Sequence, residues 1–127
     1  MDELIDRLVT GVGLDHQTAE KAVAIILNFL LKDGPTDKVQ AMINQLPGAT
    51  ALLAAAGPQP ESTGGTLAGL FGTGGIMGAA NQLMAAGLSM GQVQSVTREV
   101  VAFSREKVGE ENVGEIVGAI PGLSQFV

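Results

Sequence analysis

The side chains able to do chemistry are few, and their spacing does not assemble them. His16 is the one histidine of the chain, so a two-histidine metal site or a His-Glu-x-x-His helix cannot be built. It follows Asp15 at a predicted helix start, where an imidazole is ordinarily a solvated surface group. A serine–histidine–carboxylate relay would need a serine near it, and no serine lies in a Gly-x-Ser-x-Gly context. Glu110, Glu111 and Glu115 crowd the start of another helix. Glu111 and Glu115, four residues apart, share a face and could hold a divalent cation weakly. Their more ordinary role is to complement the positive end of the helix dipole. Asp33 and Asp37 flank Gly34-Pro35 without the regular oxygen spacing of a calcium loop. With no cysteine, disulfides, thiolate metal sites and cysteine nucleophiles are excluded. A chain that is not an enzyme and holds no metal or cofactor is the expectation.

The glycines invite two further functions and support neither. Gly72-Thr73-Gly74-Gly75-Ile76-Met77 fails the Gly-x-Gly-x-x-Gly pattern at Met77, and no strand is predicted before it, as a dinucleotide turn requires. From Ser62 to Thr97 there is no charge, and Gly65/Gly69 and Gly74/Gly78 have the spacing at which membrane helices approach closely. Asn81, Gln82 and several threonines interrupt any apolar run long enough to span a bilayer. Membrane insertion is therefore not expected. The net charge of −6, with seven Lys and Arg in all, leaves no basic track for a phosphate backbone. No Trp or Tyr is present to stack bases, so no nucleic-acid partner is expected. The acidic, amphipathic opening MDELIDRL is the opposite of a secretory signal, which makes the cytoplasm the expected compartment.

The elements that would position these residues all read as helices. Leu4, Ile5, Leu8 and Val9 mark one face of a short helix over 2–10, ended by Gly11 and Gly13. Asp15 caps a long helix from His16 to Lys32, which stops at Asp33-Gly34-Pro35, with Gly34 placed to take a left-handed conformation. Thr36 is read as the cap of a third helix carrying Val39, Met42, Ile43 and Leu46. Pro47-Gly48 turns it into a short Ala-rich helix, Ala49 to Ala56. Residues 57–75 are rich in Gly, Pro, Ser and Thr and predict a mobile connector, with Leu67, Leu70 and Phe71 as a small apolar patch. Ile76 to Ala86 is a fifth helix. Ser89 and Gln92 form a capping box before a sixth, Met90 to Lys107, with Val93, Val96, Val100 and Phe103 on one stripe. Gly109 ends it, Glu110 or Asn112 starts a seventh, and Pro121-Gly122 turns the chain into its last apolar cluster.

Sliding the chain by 74 residues without gaps lays 1–53 on 75–127. Gly13 falls on Gly87, Leu14 on Leu88, Phe29 on Phe103, Val39 on Val113, and Pro47-Gly48 on Pro121-Gly122. Apolar class and turn chemistry agree in phase, which predicts an all-α helical bundle of two pseudo-repeated units, 1–56 and 76–127, in one domain. The long helix, the short Val113–Leu123 helix (VGEIVGAIPGL) with its Pro-Gly corner, and the Gly-rich middle resemble the VcgC/VcgE-like small bacterial proteins of unknown function. That resemblance implies a helical fold and carries no catalytic residue.

The units differ along the long helix. Where the second carries Arg98, Glu99, Arg105 and Glu106, the first carries Ala24, Ile25, Leu31 and Lys32. A helix apolar on every side is either the centre of a bundle or half of a subunit interface. The expected function is a non-catalytic interaction module that self-associates as a homo-oligomer, or binds a protein partner, through apolar helix surface. Ile25, Leu27, Leu31 and Phe71 are the candidate contact residues. A binder of small apolar ligands or membrane surfaces, using a cleft between the units, is the alternative.

Overall fold

The computed structural model describes residues 2–46, 48–56, 75–120 and 122–125. They form seven α-helices: α1 (Asp2–Arg7), α2 (His16–Asp33), α3 (Thr36–Gln45), α4 (Ala49–Ala56), α5 (Gly75–Ala85), α6 (Met90–Val108) and α7 (Glu110–Ala119). A π-helical turn, π1 (Leu8–Val12), continues α1, and a 3-10 turn, Leu123–Gln125, follows α7. Among the described residues there is no strand, so the fold is all-α. The predicted connector lies outside the described residues except for Gly75, which opens α5.

The apolar side chains of both halves converge on one continuous core. Helix α2, apolar from Ala22 to Leu31 except for Asn28, is its central element: it packs against α1, π1, α3, α4, α5 and α6. Ala19, Ala22, Val23, Ile26, Leu27, Phe29 and Leu30 of α2 are all buried. The helix ends explain why the elements start and stop where they do. Ser89 Oγ accepts from the Gln92 amide at 3.3 Å while Gln92 Oε1 accepts from the Ser89 amide at 2.9 Å, closing the predicted capping box. Asp15 holds the N-cap of α2 with an extended backbone but closes no strict capping hydrogen bond. Its carboxyl is nevertheless held below the usual range, first by the Thr18 hydroxyl.

Two turn assignments are corrected. Gly34 is extended, not left-handed, at φ −93°. The need for glycine there is steric, since a Cβ would stand 2.7 Å from the Leu30 carbonyl oxygen and 3.2 Å from the Val39 and Ile120 side chains. Thr36 is the first residue of α3 and not its cap; Pro35 takes the cap position, and the Thr36 hydroxyl donates back to the Leu31 carbonyl at 3.3 Å.

Several positions 74 residues apart share geometry as well as residue class. Helices α3 and α7 span Thr36–Gln45 and Glu110–Ala119, each ten residues, with starts 74 apart. Their C-caps are alike, Leu46 at φ −86°, ψ 115° and Ile120 at φ −105°, ψ 111°. Gly48 and Gly122 in the following corners both sit at φ 86°. Ala19, Ala22, Ile26, Phe29, Val39, Met42 and Leu46 are buried, as are Val93, Val96, Val100, Phe103, Val113, Ile116 and Ile120.

The first helices keep a different register. Buried Leu4, Ile5 and Leu8 stand 75 residues before buried Ala79, Ala80 and Leu83, whereas Leu14 stands 74 before Leu88. The Leu8 carbonyl accepts from the Leu14 amide at 3.5 Å, and the Leu83 carbonyl accepts from the Leu88 amide at 3.2 Å. One extra residue thus lies between the leucines of the first half. The wider π1 turn, in which Gly13 donates back to the Leu8 carbonyl at 3.2 Å, accommodates it.

Candidate interaction surfaces

Of the sequence-predicted contact residues, Ile25 and Leu31 share one strip of α2 and Leu27 is turned into the core. Leu27 is 0% exposed and belongs to the core, so it offers no surface to a partner. Periodicity could not separate it from its neighbours, because every side of α2 around it is apolar. Ile25 and Leu31 are half-buried and packed against the core. Phe71 lies outside the described residues. Thr18, Lys21, Ile25, Asn28 and Leu31, at steps of three and four, make the least covered strip of α2. Asn28 Nδ2 donates to the Ala24 carbonyl at 2.9 Å, which turns its amide back onto its own helix.

Other apolar groups reach the surface without having been singled out in the sequence. Leu52 and Leu53 of α4, a helix packed on α2, are half-buried. Met84 and Met90, on either side of the turn between α5 and α6, are 37% and 42% exposed. A helix of alanine and leucine carries little signal about which leucine is covered. The methionines were visible only as residues off the main stripes.

A second surface is internal. Helix α5 packs on α2 of the first half as well as on α6, and α1 with π1 packs on α6 of the second half as well as on α2, so the first helix of each half bridges both long helices. Helices α2 and α6 also meet, as do α3 and α7. The cleft expected between the units is filled by side chains of the shared core, Leu4, Leu8, Leu27, Leu83 and Phe103 among them.

Charged pairs line the rim of this seam. The Arg7 guanidinium donates to both Glu106 oxygens, at 2.6 and 3.1 Å, and to Glu3 at 3.3 Å. Arg7 Cζ and Lys107 Nζ lie 5.6 and 5.5 Å from the centre of the Phe103 ring, within cation–π range. Lys107 also stands 3.8 Å from Glu3. On the other flank, Lys38 of α3 is paired with Glu115 of α7. Arg7 holds the Glu106 carboxyl below the usual carboxylate range, chiefly by its hydrogen bonds.

The remaining titratable residues meet at most in pairs among the described residues. His16 is exposed on the first turn of α2, with Nδ1 3.1 Å from Glu20 Oε1. Glu110 and Glu111 are exposed at the start of α7, while Glu115 faces Lys38. Among the described residues no group of three His, Cys, Asp or Glu could hold a metal ion. Buried Thr97 and Ser104 each donate to a carbonyl one turn back on α6, those of Val93 and Val100, at 2.8 Å. Among the described residues, no helix is long and apolar enough to cross a membrane. No family model, curated protein or solved structure matches the chain.

Proposed function

We propose that this protein is a non-catalytic helical interaction module that associates with a second copy, or with a protein partner, through apolar helix surface. The observation that carries the proposal is the α2 strip. Ile25 and Leu31 are left half-open on the helix at the centre of the core, and the amide between them is spent on its own backbone. A strip on a helix already packed against six other elements has little backbone freedom left to lose when covered. Half-buried Leu52 and Leu53 on adjoining α4 supply further apolar area.

The test is the mass of the native protein by sedimentation and light scattering over roughly 1 to 100 micromolar, where a weak helix-face contact forms. A mass above that of one chain is expected. Ile25→Glu combined with Leu31→Glu should return the protein to a single chain with unchanged far-UV dichroism. A strict monomer across that range removes self-association.

We infer also that the two halves are one helical unit used twice. The equal spans of α3 and α7, the matching Gly48 and Gly122 corners and the corresponding buried positions support this. The offset of 75 in the first helices and 74 thereafter makes the repeat one with a single-residue insertion at π1, not an ungapped one.

A further inference from the structure

We propose that the seam between the halves is also a recognition surface for a second copy of this chain. Two molecules exchange halves, so that residues 2–56 of one pack on the second half of the other and the same fold is built twice. This association is distinct from contact through the Ile25–Leu31 strip, and it stands or falls separately.

Three observations carry it. The seam has the anatomy of an interface between molecules, with an apolar centre of Leu4, Leu8, Leu83 and Phe103 and a charged rim. Its rim is complementary on two flanks: Arg7 of the first half meets Glu106 of the second, and Lys38 meets Glu115. The packing is reciprocal, α5 on α2 and α1 on α6, so neither half completes the surroundings of its long helix without helices of the other. Nothing in these contacts depends on both halves belonging to one chain, because the covalent link between them runs through 57–74 alone.

An exchanged pair makes the contacts of the monomer twice, so the balance is set by concentration. Joined halves see one another at an effective concentration set by the short, Gly-rich stretch 57–74, on the order of millimolar for a link of that length. Exchange therefore becomes appreciable as the chain approaches that concentration. It is reached by unfolding and refolding, the route that makes domain swapping a low-cost path to dimers.

The Lys38–Glu115 pair supplies the probe without any substitution, since a carbodiimide joins a lysine amine to an adjacent carboxylate with loss of water. Equal amounts of 14N- and 15N-labelled full-length protein are unfolded together, refolded at about millimolar concentration, diluted and coupled at once. The species of two-chain mass is then isolated and its Lys38–Glu115 peptides are weighed. Exchange predicts that about half of these peptides are isotopically mixed, against none when the two proteins are refolded separately and mixed just before coupling. The Ile25→Glu, Leu31→Glu protein should give the same mixed peptides. Only single-isotope peptides at every refolding concentration overturn the exchange, even if a dimer is present. In that case the dimer is left to the α2 strip.

Discussion

Arg7 and Glu106, 99 residues apart in the chain, form a two-pronged ion pair that ties α1 to α6. Because Arg7 holds the Glu106 carboxyl low, the pair is an acid-sensitive contact. A depressed carboxyl contributes its stabilisation above its unfolded pKa, about 4.3, and loses it as pH falls through the folded value. Carbon-detected titration of the Glu106 carboxyl should therefore show a midpoint below about 4.3, and Arg7→Gln should move it upward. A midpoint unmoved by the substitution would mean that Arg7 is not the cause. Both side chains are substantially exposed, so Arg7→Gln should lower Tm only slightly at neutral pH.

Leu27 and Ile25, two residues apart on α2, should respond differently to truncation. Fully buried Leu27 cut to alanine leaves a cavity in the central helix and should cost about 2–5 kcal/mol in urea unfolding. Half-buried Ile25 should cost less, under about 2 kcal/mol. Equal losses would mean that the two positions are equally enclosed in solution.

The glycines divide into two groups with opposite signs. Gly48 and Gly122 sit at φ 86°, so alanine at either should destabilise by about 1–2 kcal/mol. Gly114 and Gly118 lie within α7, and an added Cβ at either meets no atom within 4 Å. Alanine there should stabilise by up to about 1 kcal/mol each, through helix propensity alone. A loss of stability at Gly114 or Gly118 would reveal a surface pressed against α7.

Ser89→Ala opens the capping box of α6 and should cost about 1 kcal/mol, measured by thermal or urea unfolding. Gln92→Ala removes only the reciprocal bond to the Ser89 amide and should cost less. The reverse order would place the stabilisation in Gln92 rather than in the serine hydroxyl.

Much of this architecture was legible along the chain, and the failures have physical causes. Local chemistry placed Asp15, Ser89-Gln92 and Gly109 at helix boundaries, and the apolar stripe of α6 is the buried one. Local chemistry also misplaced Gly34, because a glycine required by crowding looks the same in sequence as one required by a left-handed turn. The apolar run of α2 gave no means of separating Leu27 from Ile25, since periodicity needs a polar side to point away from. The bridging of both long helices by α1 and by α5 was not legible at all. An amphipathic stripe states that a face will be covered but not by which neighbour. For the same reason Leu52, Leu53, Met84 and Met90 emerged only from the packing.

The π-helical turn π1 bears on what the chain can tolerate. A helical turn that widens to hold one more residue confines the change in length to itself, as Leu14 shows by staying in step with Leu88 while Leu8 does not. Length is thereby uncoupled from phase at the junction before α2. Single-residue gains or losses between Leu8 and Gly13 should be absorbed there, whereas the same change inside α2 would rotate every following side chain by about 100° and scramble the core.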